Sequence, residues 1–250
     1  MTRTAWRLLV AGGCVYLLFL LISVPASRVT SRLAQQVEGL SLYAVTGTVL
    51  SGEAARIVIQ GQGIGPVNWT LRPLALLLGR LEYRVESTDA AFKGNATIGL
   101  GLNGVLVVHD LEAELVPDPL INRFSPVPVE STGRFTLLIE RLEYAAGFPQ
   151  QLAGRLDWND ARILEPVNLS LGQVAAVMSR GEDALVATIT GTPGDMVMSG
   201  EITLTPAGRY DLNLLLTPGP AISPDIVDTL GTFAQSRPGG SYLLTDTGQL

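Results

Sequence analysis

The chain has 250 residues, 47% hydrophobic and 16% charged, with a mean hydropathy of +0.32 and a formal net charge of −6. That acidic balance, with Lys93 as the only lysine, lacks the concentrated basic patch that nucleic-acid phosphates require, which argues against nucleic-acid binding. The single cysteine, Cys14, permits neither an internal disulfide nor a thiolate metal site.

Much of the excess apolarity lies in residues 8–24, LLVAGGCVYLLFLLISV, which carry no charge and are flanked by Arg3 and Arg7 before and by Pro25 and Arg28 after. At a helical rise this run spans roughly 26 Å, and its flanks extend it to a bilayer core of about 30 Å. The predicted signal-anchor helix covers residues 8–26, with Leu8, Leu9, Val10, Tyr16, Leu17, Leu18, Phe19, Leu20, Leu21 and Ile22 as its lipid-facing body. A cleaved secretory signal is the rival, since Val24, Pro25 and Ala26 before Ser27 resemble a small-residue cleavage site. The apolar run exceeds the roughly 7 to 15 residues of a signal core, and Pro25 has a sufficient role in ending a helix. Arg3 and Arg7 nearly balance Arg28 and Arg32, so the short tail of residues 1–7 decides for a cytoplasmic N-terminus. Residues 27–39 read as a linker, and residues 40–250 as a β-rich domain on the far, periplasmic side.

From about residue 40, short runs alternate apolar and polar residues, with Gly, Asn, Asp or Pro between them. Ala55, Ile57 and Ile59 share one parity. Val105, Val107, His109, Leu111, Ala113 and Leu115 do the same, with Asp110, Glu112 and Glu114 opposite them. Asn103-Gly104 suits a tight hairpin turn with positive φ at both residues. Helical signals are few. Arg72-Pro73 opens residues 74–78 with Gly79 as terminator. Ser223-Pro224 opens a longer stretch in which Ser223 can cap and Ile226, Val227, Leu230 and Phe233 share one face, which predicts a helix closing one end of the sheet.

The predicted fold class is therefore mainly β: one N-terminal transmembrane helix, then a large, curved antiparallel sheet domain with one or two short helices. A weak echo links Gly47-Thr48-Val49 with Ala55-Arg56-Ile57 to Gly154-Arg155-Leu156 with Ala161-Arg162-Ile163. It fits either two similar β halves, with a seam near residues 118–128, or two hairpins of common composition.

No motif carries a reaction. Gly99, Gly101 and Gly104 match G-x-G-x-x-G, but the β-branched run that follows makes a strand where a dinucleotide site needs a helix, so the glycines read as a hairpin. His109, the only histidine, cannot supply the several nitrogens of a zinc site and has no G-x-S-x-G partner, so it reads as packed or half-buried. Asp110, Glu112 and Glu114 read as a solvated face, since alternate strand residues stand about 7 Å apart. Asp157 and Asp160 have no separation that sequence can supply for glycoside chemistry. Trp69 and Trp158 read as core-filling rings.

The anchor, Pro25-Ala26-Ser27, and Val45-Thr46-Gly47-Thr48-Val49-Leu50-Ser51-Gly52-Glu53-Ala54 together resemble the type II secretion system protein N family. Gly65-Pro66-Val67-Asn68-Trp69-Thr70-Leu71-Arg72-Pro73, then Leu76-Leu77-Leu78-Gly79-Arg80-Leu81, resembles the family's tryptophan-proline-leucine segment. Gly154-Arg155-Leu156-Asp157-Trp158 with Ala161 resembles a later motif, and Gly239-Gly240-Ser241-Tyr242 to Gly248-Gln249-Leu250 its C-terminus. Leu50 stands where the family pattern has tryptophan. The resemblance marks Gly47, Gly52, Ala54, Trp69, Pro73, Gly79, Gly154 and Trp158 as structural positions. It implies a single-pass inner-membrane accessory of the type II secretion machinery of Gram-negative bacteria, with no enzyme activity and no cofactor, whose partners are other secretion subunits. The family is also similar to curved, groove-forming β-sheet proteins of the AsmA-like, lipid-handling kind, which implies lipid binding or transfer as the alternative.

Overall fold

A computed structural model describes residues 25–27, 39–59, 61–118, 121–122, 128–165, 168–220 and 222–249. The segment read as the anchor, residues 8–24, lies outside them, as do 119–120 and 123–127 of the seam expected near 118–128. Among the described residues no helix is long and apolar enough to cross a membrane. The chain divides into two compact units, Met1–Lys93 and Gly94–Leu250.

The first unit is antiparallel throughout. Its strands are β1 (Leu40–Gly47), β2 (Ser51–Ile59), β3 (Gln62–Ile64), β4 (Val67–Leu71) and β5 (Arg80–Thr88), in the order β1-β2-β4-β5, with β3 beside the far part of β2. Helix α1 (Pro73–Leu76) joins β4 to β5. Its start is as predicted, with Pro73 in the first turn, where a missing N–H costs nothing. Gly79, at φ +68°, ends the turn.

One parity of this sheet is buried, and it is not the one the sequence suggested for β2. Ala54 is fully buried, whereas Ala55, expected on the apolar face, is exposed. The register supplies the reason: Val45, Ala54, Val67 and Ser87 form one cross-strand row, and Gly47, Gly52, Trp69 and Val85 the next. The Trp69 ring occupies the face that carries Gly52 and Ala54, so that face becomes the interior.

In the second unit, β6 (Phe92–Gly101, whose first two residues belong to the first unit), β7 (Leu106–Leu115), β8 (Glu130–Ala145), β9 (Phe148–Glu165), β10 (Leu169–Arg180), β11 (Leu185–Gly191), β12 (Met196–Leu204) and β13 (Arg209–Pro218) follow one another in sheet order. Then comes β15 (Ser241–Gln249), with the short β14 (Gln235–Arg237) outside it. The turn at Asn103-Gly104 forms as a hairpin, but only Gly104 takes a positive φ, of +78°. Gly104 N–H donates to Gly101 O at 3.0 Å, and the Asn103 side chain accepts from Val105 N, so the loop has three residues.

The core of this unit gathers Phe135, Trp158, Ala161, Leu169, Leu171, Met196 and Leu216. Helix α2 (Pro224–Phe233) closes it from one end through Ile226 and Leu230. Ser223 makes no side-chain capping bond, contrary to expectation. Its carbonyl instead receives Ile226 N and Val227 N, and Pro224 leaves one donor fewer to satisfy. Bulges at Gly172, where φ is +70°, break the β9–β10 register and bend the strands there.

Candidate interaction surfaces

Six of the eight positions marked by the family resemblance, Gly47, Gly52, Ala54, Trp69, Pro73 and Gly79, lie in the first unit. The indole N–H of Trp69 donates to Thr48 O at 3.2 Å, across the turn between β1 and β2. A methyl group on Gly52 would lie 2.5 Å from the Trp69 ring, so only glycine lets the ring lie flat there. Gly47 turns the chain at φ +83°, and a Cβ there would meet Ser51 O at 2.6 Å. Leu71 N donates to Leu50 O at 2.6 Å, which ties the end of β4 to the same turn. Pro25 forms an isolated antiparallel bridge with Thr48.

Beyond Leu71, the α1 segment turns outward. Only Ala75 is buried, while Leu74, Leu77 and Leu78 are 76%, 83% and 76% exposed, with Leu76 and Leu81 also exposed. Pro73 and Gly79 bracket this apolar loop. The sequence predicted the helix but gave no signal for its direction, because leucines on a short turn look the same whether they face a core or not.

At the opposite end of the same unit, Asp89 follows β5 and caps the turn back into β6. Its carboxylate receives Ala91 N at 2.7 Å and Gly65 N at 3.1 Å. The bond from Ala91 chiefly holds its pKa below the ordinary carboxylate value. Burial opposes this, and further backbone donors and Arg56 add to it.

In the second unit, apolar residues meet in register across eight strands: Ala113, Leu137, Leu156, Ala176, Ile189, Gly200, Leu214 and Leu244. Apart from buried Ala113, these are half-buried, so α2 covers one end of the face and leaves the rest partly accessible. Trp158, 8% exposed, tilts against Phe135 with centroids 5.3 Å apart, and its N–H donates to Thr132 O. Gly154 sits in mid-strand, where a Cβ would meet Leu138 O at 2.9 Å.

Two strand edges lack a full strand partner among the described residues. Among the described residues, the outer side of β1 pairs with nothing, and β14 covers only Ser241, Tyr242 and Leu243 of β15.

The residues weighed for chemistry have ordinary structural surroundings. His109 is half-buried, with its Nδ1 2.9 Å from the Asp110 carboxylate. Glu112 is exposed and Glu114 pairs with Arg134 at 2.7 Å. Asp157 is held by Arg155, and this bond raises the guanidinium's pKa. Asp160 is a kink at φ +51°. Among the described residues, no three His, Cys, Asp or Glu side chains converge as a metal site would need.

The family model for type II secretion system (T2SS), protein N, matches residues 38–245. Three curated relatives, each named type II secretion system protein N, are similar over most of their length. The Vibrio cholerae serotype O1 protein is 28% identical over 85% of this chain and 86% of its own. The Aeromonas hydrophila protein is 24% identical over 94% of each chain. The Klebsiella pneumoniae protein is 28% identical over 82% of this chain and 81% of its own. No solved structure matches the chain.

Proposed function

The chain belongs to the type II secretion system protein N family, and from that premise we propose that it is an inner-membrane-anchored accessory component of the secretion machinery that acts by binding other subunits. The observation that carries this is the extent of the match, residues 38–245, which takes in nearly all of the β-rich part of the chain. Residues 8–24 hold the chain in the inner membrane with the N-terminus cytoplasmic, and residues 40–250 work in the periplasm. The open edges of β1 and β15 suit partner strands, since unpaired N–H and C=O groups along an edge accept another strand directly.

The test is a deletion strain examined for export of type II substrates, with the tagged full chain used to recover associated subunits from membranes. Loss of export, with secretion subunits recovered, supports the proposal. Unchanged export of every substrate, with no subunit recovered, overturns it.

A second reading, periplasmic lipid binding or transfer, is favoured by the half-covered apolar rows of the second unit. Leu137, Leu156, Ile189, Leu214 and Leu244 remain partly accessible where a sealed core would bury them. Native mass spectrometry of the detergent-extracted full chain decides it: a co-purifying lipid supports an acyl-binding face, and its consistent absence argues for binding of proteins alone.

A further inference from the structure

Among the described residues, the leucine loop between β4 and β5 is the most exposed apolar feature of the first unit. Leu74, Leu77 and Leu78 are 76%, 83% and 76% exposed, although Ala75 beside them is buried. Exposing several adjacent leucines is unfavourable in water, at about 25 cal/mol per Å². Such a patch on a folded surface marks something that covers it.

Its place in the sheet identifies the cover. Pro25, the residue that follows the uncharged run of 8–24, bridges Thr48. Thr48 receives the Trp69 indole N–H, and Leu50 receives Leu71 N, one residue before the loop begins. The point where the chain leaves residues 8–24 and the leucine loop therefore lie at the same end of the sheet, about three strand spacings or some 14 Å apart. The charges agree. Residues 72–81 hold Arg72 and Arg80 and no acidic residue in a chain of net charge −6, and the neighbouring turn, residues 45–52, is uncharged. Arg72 lies 3.6 Å from Glu82 but keeps half of its side chain exposed. Asp89 stands beyond the other end of β5. Leucines bracketed by arginines match a bilayer interface, where apolar side chains enter the acyl boundary and guanidinium groups remain among anionic headgroups.

We propose that the loop of residues 72–79 inserts into the surface of the membrane beside the anchor, with Leu74, Leu77 and Leu78 in the acyl boundary and Arg72 and Arg80, at its two ends, at the headgroups. This gives the first unit a second attachment and fixes its orientation on the bilayer, which a single attachment cannot do. The inference rests on reading residues 8–24 as a membrane anchor.

The test uses the full chain in a Cys14→Ala background, reconstituted into vesicles of phosphatidylethanolamine and phosphatidylglycerol that carry brominated acyl chains. A fluorophore is attached at Leu77→Cys or Leu78→Cys, with Ala91→Cys, exposed at the opposite end of β5, as the reference. Insertion to about 5–10 Å predicts quenching at positions 77 and 78 several-fold stronger than at 91. Equal quenching at all three overturns the proposal, and so does disulfide cross-linking between copies through Leu77→Cys without lipid quenching, which would assign the patch to a second chain. Carbonate extraction of the same vesicles reports separately on the anchor: a retained chain with an unquenched loop sinks the loop proposal alone, whereas release of the chain sinks the anchor reading.

Discussion

The indole N–H of Trp158 donates to the carbonyl oxygen of Thr132 at 3.0 Å, and a Cβ built on Gly133, the residue after Thr132, would lie 2.9 Å from the same nitrogen. Trp69 repeats the arrangement in the other unit, donating to Thr48 O with Gly52 beneath its ring. In each case a large ring is locked by one directional bond and by a glycine that leaves it room. The recurring device joins residues 21 and 26 positions apart, so no local sequence pattern reveals it.

Replacing Trp158 by Phe removes the donor and part of the ring from a buried site. The expected loss is about 1–3 kcal/mol of unfolding free energy, read by denaturant titration. Trp69→Phe, at a half-exposed ring, should cost less. Equal costs would show that burial does not set the difference.

Gly52→Ala places a methyl group 2.5 Å from the Trp69 ring and 2.6 Å from Thr46 O. Overpacking of this kind costs about 1–3 kcal/mol or more. A double-mutant cycle with Trp69→Phe should show non-additivity of about 0.5–3 kcal/mol, because the two changes share one contact. Strict additivity would place the clash elsewhere.

Leu171 is 2% exposed and Leu102 is 93% exposed. Leu171→Ala should cost about 2–5 kcal/mol through lost burial and a residual cavity, while Leu102→Ala should stay within about 0.5 kcal/mol. Thermal unfolding of the two variants side by side checks this contrast.

The depressed pKa of Asp89 makes stability depend on pH with a fixed sign. Its contribution is fully present above the unfolded value of about 3.9 and disappears as pH falls through the lower folded value. Asp89→Asn should therefore be less stable than the parent at neutral pH, and the gap should close in acid. Unfolding measured from neutral to acid pH in both proteins tests it, and a gap that widens on acidification would contradict the assignment.

An arginine placed in the middle of residues 8–24 tests the proposed anchor. An arginine at the centre of a membrane-spanning helix costs about 2.5–3.5 kcal/mol of insertion free energy, and on the proposed reading Leu17→Arg places one there. Together with Leu18→Arg, it should move the chain from the carbonate-resistant membrane fraction to the soluble one. Undiminished retention of the double variant would mean that another part of the chain holds the membrane.

Alternation alone determined that this protein is an antiparallel β structure, because a side-chain period of two is a property of the strand itself. In β7 it put Leu111, Ala113 and Leu115 inward and Asp110, Glu112 and Glu114 in water. Local chemistry likewise fixed the turn at Gly104 and the start of α2 at Pro224. Tertiary structure decided what local chemistry leaves open. Ala54 and Ala55 are equivalent as residues, and the strand pairing that sets Ala54 between Val45 and Val67, on the face that carries the Trp69 ring, makes the first of them the buried one. Ala146-Gly147 reverses the chain between β8 and β9 with both φ values positive, a turn that pairing of the long strands imposes on an alanine that does not favour it. After Pro73, Ala75 is buried while Leu74, Leu77 and Leu78 are exposed, and which residues of a short turn face inward depends on what surrounds it, not on the residues within it.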